Sequence, residues 1–204
     1  MSSSLLAAQE SVRRIQRIQA ITIGWMMVEA GLSLWAAWRA RSPALLAFGG
    51  DSAIEVLSAA VVLWRFRSHI ADERAERRAA QITGVFLFLL ACYIVAASAR
   101  ALMGYGEPRP SYVGIAILIA AAAIMHWLAK EKRRLSAVTG SAALRADAAE
   151  SMLCAYLSLV ALIGLAAHSI FGVAWADPAA ALAITPLIAW EGREALRGKA
   201  CVCC

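Results

Sequence analysis

Asp51 and Glu55 lie four residues apart in FGGDSAIEVLSAAVVLW, and Asp147, Glu150, Ser151 and Cys154 recur at i, i+3, i+4 and i+7 in ALRADAAESMLCAYLSLVALIGL. On an α-helix each set shares one face. Both segments are otherwise apolar enough to cross a bilayer. An Asp at a helix centre there costs about 2.5–3.5 kcal/mol on insertion scales, so carboxylates persist mainly where they line a polar path. Two or three carboxylates with one thiolate suit a divalent ion such as Zn2+, which accepts O, N and S ligands in a tetrahedron. Asp51, Glu55, Glu150 and Cys154 are therefore the candidate metal ligands.

Helical rise gives these residues a depth. Counted from Arg65, Glu55 is ~15 Å and Asp51 ~21 Å along its helix. Counted from Gly140, with Arg145 snorkelling back to the headgroups, Glu150 and Cys154 reach the same ~15 and ~21 Å. Antiparallel packing of the two segments would set Asp51 beside Cys154 and Glu55 beside Glu150. Asp147, nearer the boundary, is expected to shape an entrance or to pair with Arg145 or a lysine. Glu29, in an earlier apolar block, is expected either to line the same route or to bond Trp25 or a serine.

The elements that must position these groups follow from composition. The 204 residues are 61% hydrophobic and 17% charged, with a mean hydropathy of +0.65, outside the range of ordinary soluble domains. An all-α integral membrane bundle is predicted, each span needing roughly 20 residues for a core of about 30 Å. Six spans fit, at 18–38, 44–64, 80–103, 112–129, 140–168 and 175–192. They form one transmembrane domain over 18–196, between a basic N-terminal segment 1–17 and a Cys-rich tail 197–204. Gly and Pro punctuate RARSP, YGEPRPS and HSIFGVAWADP, where helices should end.

With the N-terminus in the cytoplasm, sixteen of the twenty Lys and Arg residues fall on the inner side and only Arg39, Arg41, Arg100 and Arg109 outside. The positive-inside rule thus places both termini in the cytoplasm, of a cell (inner) membrane. It also accounts for the +6 net charge, which flanks spans and does not form an aromatic-interleaved patch for nucleic acid. No cleavable leader is expected, and the basic N-terminal segment is either an interfacial helix or a frayed tail.

Among other polar groups, His126 beside Trp127 reads as interfacial, Cys92 as a packing residue, and Asp177 before Pro178 as the N-cap of the sixth helix. Cys201, Cys203 and Cys204 form a C-x-C-C cluster that could take a soft metal, be palmitoylated or be a plain tail. An enzyme is not expected: no H-E-x-x-H occurs, and no nucleophile and base stand at a recognisable spacing.

GGDSAIEVLSAAVVLW resembles the second span of the cation diffusion facilitators, where two ligands lie four apart. LRADAAESMLC is similar to their fifth-span motif: Ala146 and Asp147 match its Ala-Asp pair, Glu150 occupies the place usually held by His, and Cys154 that of the second Asp. WADPAAALAITPLIAWEGREALRG looks like the sixth span. The resemblance covers nearly the whole chain and implies a six-helix bundle of the cation-efflux type. It implies export of Zn2+ or a similar ion, with Co2+, Cd2+, Fe2+, Ni2+ and Mn2+ as alternatives, from the cytoplasm in exchange for protons by alternating access. It also implies a homodimer, although the usual cytoplasmic ferredoxin-like domain is absent from the sequence as given. The alternative function is a membrane metal sensor or accessory protein that binds without transporting.

Overall fold

The computed structural model describes residues 2–67, 73–105, 108–139 and 142–197. The chain folds as six α-helices: α1 Ser2–Ala40, α2 Pro43–Arg67, α3 Glu73–Leu102, α4 Tyr112–Thr139, α5 Ala142–Phe171 and α6 Ala176–Leu196. This is the all-α six-helix architecture expected from the span count. Among the described residues, four stretches are long and apolar enough to cross a membrane: Arg13–Ala40, Gln81–Leu102, Tyr112–Val138 and Asp147–Phe171. α2 carries Asp51 and Glu55 in its middle, and the 21 residues of α6 include Asp177, Glu191, Arg193 and Glu194. Both sit among other helices, with α2 touching α1, α3, α5 and α6.

Large apolar side chains point outward from the bundle, among them Met27, Val28, Tyr93, Ile163 and Phe171. In water that would be an aggregation liability. Against acyl chains it is the expected solvent-facing surface, edged by exposed Trp38, Tyr112 and Trp175 at one end and Trp127 and Trp190 at the other.

Small residues bring the helices close where the acids lie. A Cβ on Gly49 would come 2.8 Å from Ser33 Cβ of α1, and one on Gly50 would come 2.8 Å from Leu90 Cδ1 of α3. The two glycines before Asp51 thus let α2 nest between its neighbours. α3 and α6 meet the same way, since a Cβ on Gly84 would sit 2.7 Å from the Gly192 carbonyl oxygen.

The turn between α1 and α2 fixes the start of α2. Arg41 adopts φ 52, and the Ser42 amide donates to the Ala37 carbonyl at 3.2 Å, closing α1 with a left-handed residue. Pro43 then opens α2. Ser42 Oγ accepts the Leu45 amide at 3.1 Å, Asp177 Oδ1 accepts the Ala44 amide at 3.2 Å, and Ser42 Oγ donates to Asp177 Oδ2. Asp177 is therefore not the N-cap of its own helix. That position is Trp175, which makes no side-chain cap bond, and the buried carboxylate of Asp177 instead completes the cap of α2.

α1 and α4 extend past the spans predicted at 18–38 and 112–129. α1 begins at Ser2, so the basic N-terminal segment is continuous in helix with the first span, and α4 runs to Thr139. The extensions are tied together: Arg14 pairs with Glu131, and Lys132 Nζ donates to Asp147 Oδ1 and Ser151 Oγ, each at 2.8 Å. Gln19 Nε2 donates to Asp147 Oδ2 at 2.6 Å. Lys132 is fully buried, which a lysine tolerates only with its ammonium paired.

Candidate metal centre

Asp51 and Glu55 stand one turn apart on α2, and Glu191 of α6 joins them. Each offers one carboxylate oxygen, and these three atoms all lie within 4.8 Å of one another. Asp51 is 3% exposed, and its Oδ1 has no hydrogen-bond partner. Its carboxyl is hydrogen-bonded to Glu191, a contact between two acids that requires a shared proton. A buried carboxylate oxygen left without a donor is costly, and a cation is the natural partner for three oxygens so arranged.

Local sequence explains how α6 delivers its acid. Gly192 follows Glu191 and seats α6 against Gly84 and Leu87 of α3. That contact fixes the rotation of α6 and leaves Glu191, the preceding residue, facing α2.

The fifth-helix residues divide. Glu150 is close enough for its charge to act on both Asp51 and Glu191, so it borders the cluster from α5. Cys154 is buried and lies within electrostatic reach of Asp51 and Glu55, but its Sγ donates to Glu29 Oε1 at 3.5 Å. Glu29 is fully buried and also accepts Ser52 Oγ at 2.8 Å and Trp25 Nε1 at 2.7 Å. It therefore makes the Trp25 and serine bonds foreseen for it, in the layer next to the cluster. Asp147 is occupied by Lys132 and Gln19, the lysine pairing foreseen as its alternative role. His126 and Cys92 are exposed. Cys201, Cys203 and Cys204 lie outside the described residues.

Glu191 is the residue that reading the chain alone did not assign. The signal available was an acid in Trp190-Glu191-Gly192, near the end of an apolar run and beside a glycine. It has no acidic partner at helical spacing toward the membrane, so periodicity does not mark it. Only the packing of α6 on α2 does.

A helical membrane bundle with carboxylates converging between its inner helices defines a class of proteins that handle cations within the bilayer. A model of the cation efflux transmembrane domain matches residues 20–199, and the chain belongs to that family, which is one of transporters and not of enzymes. It is 28% identical over 189 residues to a protein of Synechocystis sp. (strain ATCC 27184 / PCC 6803 / Kazusa) named uncharacterized transporter sll1263, covering 87% of this chain and 60% of that one. The chain thus spans about three-fifths of the length of this curated relative.

Proposed function

We propose that the chain carries a divalent metal cation across the membrane, moving it out of the cytoplasm in exchange for protons. The observation that carries this reading is the cluster of buried Asp51 with half-buried Glu55 and Glu191, Asp51 Oδ1 being unpartnered, on helices packed inside a membrane bundle. The family supports transport, and the sixteen inner-side basic residues support cytoplasmic termini. Proton exchange has a chemical basis, because a metal binds the deprotonated carboxylates and releases the protons they held. The site draws its α2 ligands from the pair marked by sequence spacing. In this reading Glu191 joins them from α6 and Glu150 borders the site from α5.

Reconstituted vesicles test the proposal. Uptake of radiolabelled or dye-reported divalent ion, driven by an opposing pH gradient, is expected from the wild-type protein and is expected to be lost in Asp51→Asn. Binding without uptake would favour the sensor or accessory reading over transport.

A further inference from the structure

The three groups that converge offer oxygen and nothing else. Softer donors nearby are engaged or distant. Cys154 Sγ lies 3.5 Å from Glu29 Oε1 and is not among the three converging donor atoms. Glu29 is held in turn by Trp25 and Ser52, so the thiol sits in a closed network next to the cluster. Among the described histidines, His126 is exposed on α4 and His168 Nε2 lies 2.8 Å from the Pro108 carbonyl oxygen, near the far end of α5. Neither belongs to the cluster. Asp51 Oδ1, buried and unpartnered among the three carboxylates, is an independent sign that a ligand belongs there.

Resting on the divalent-cation reading above, we propose that this site is built for a hard, oxygen-preferring ion of the Mn2+, Mg2+ and Ca2+ class, with Glu191 as one of its three oxygen donors. Carboxylate and water ligands suit those ions, while thiolate selects soft ones. Such ions take six or more oxygens. Second carboxylate oxygens, Glu150 and water can complete that number around the three converging oxygens. Raw affinity at any site rises from Mn2+ toward later divalent metals. The preference therefore shows in how the ratio between ions changes when one donor atom is exchanged.

The test uses the full chain with Cys92, Cys201, Cys203 and Cys204 changed to Ser, leaving Cys154 as its sole thiol. Two readouts are taken on the purified protein: the absorption spectrum of bound Co2+, and competition of Cd2+ against Mn2+ binding followed by Mn2+ paramagnetic resonance. The expected spectrum has no thiolate-to-cobalt charge-transfer band. Cys154→Ser is expected to leave the Cd2+ to Mn2+ ratio within about twofold, whereas Glu191→Cys should introduce the band and raise the ratio by at least about tenfold, a change of 1.4 kcal/mol. A charge-transfer band that disappears in Cys154→Ser, with a fall in Cd2+ preference, would overturn the oxygen-only site while leaving divalent-cation binding intact. Failure to bind any of Mn2+, Co2+ or Cd2+ would instead bring down the divalent-cation reading itself, and this inference with it.

Discussion

Removing the negative charge of Asp147 should destabilise the bundle sharply, because it strands a lysine that has no route to water. Lys132 is fully buried, and its ammonium has Asp147 Oδ1 and Ser151 Oγ as partners at 2.8 Å. In Asp147→Asn the shape is kept but the ammonium faces neutral acceptors alone. Breaking a buried pair from one side costs about 3–5 kcal/mol. For a chain of this size, each kcal/mol moves the melting midpoint by about 2–4 °C, so a fall of roughly 6–20 °C is expected. The double variant Lys132→Met/Asp147→Leu removes both charges and fills similar volume, and should recover most of that loss, since apolar replacements of buried pairs are often neutral. The difference between the double variant and the sum of the Lys132→Met and Asp147→Leu singles should be about 3 kcal/mol or more. Thermal melts of the detergent-solubilised protein measure all four corners of the cycle. An Asp147→Asn midpoint within about 2 °C of wild type would refute the reasoning, since the ammonium would then be finding water or another anion.

Four other outcomes can be measured. Asp177→Ala removes the acceptor of both Ser42 Oγ and the Ala44 amide. It should cost about 1–2 kcal/mol and speed hydrogen exchange at Ala44, with Asp177→Asn milder because one carbonyl acceptor is kept. Gly164→Ala would place a Cβ 2.3 Å from Ala180 Cβ and 2.9 Å from the Ala176 carbonyl oxygen, pushing α5 from α6 at a cost of about 1–3 kcal/mol in melts. By contrast, a Cβ on Gly24 meets nothing within 4 Å, so Gly24→Ala should be neutral or slightly stabilising. Apparent metal affinity should weaken as pH falls, by up to about tenfold per pH unit for each proton the ion displaces, because bound carboxylates must be ionised. Titrations at stepped pH give that slope, and a flat profile would argue against metal and protons sharing the site.

The sequence made some of this arrangement legible and hid the rest for physical reasons. Apolar runs separated by charge and by Gly or Pro marked six helices, because bilayer thickness imposes a length on each. Asp51 and Glu55 were visible because an i, i+4 pair of acids in an apolar helix has few bland explanations. The division of the fifth helix was not visible. Its polar residues share one stripe, yet Asp147 meets Lys132, Glu150 faces α2 and α6, and Cys154 turns to Glu29. Helical periodicity gives a face but not the neighbour opposite each turn. Asp177 illustrates the same limit: Asp before Pro reads locally as a cap, whereas its bonds reach α2, more than 130 residues away in sequence. Glu191 depended wholly on which helix lies against α2.

Glu191 is also where the account is most exposed. Divalent-ion binding and vesicle uptake should be measured side by side for the wild-type protein, Asp51→Asn, Glu191→Gln and a Glu150→Gln/Cys154→Ser pair. Loss of an outer-shell partner typically lowers metal affinity about 10–100-fold, and loss of a direct ligand should do at least as much. The expected result is that Glu191→Gln falls with Asp51→Asn, while the Glu150→Gln/Cys154→Ser pair keeps measurable binding and uptake. A Glu191→Gln protein that binds and transports like wild type, with the α5 pair abolishing both, would contradict the α2–α6 site and return the metal to α2 and α5.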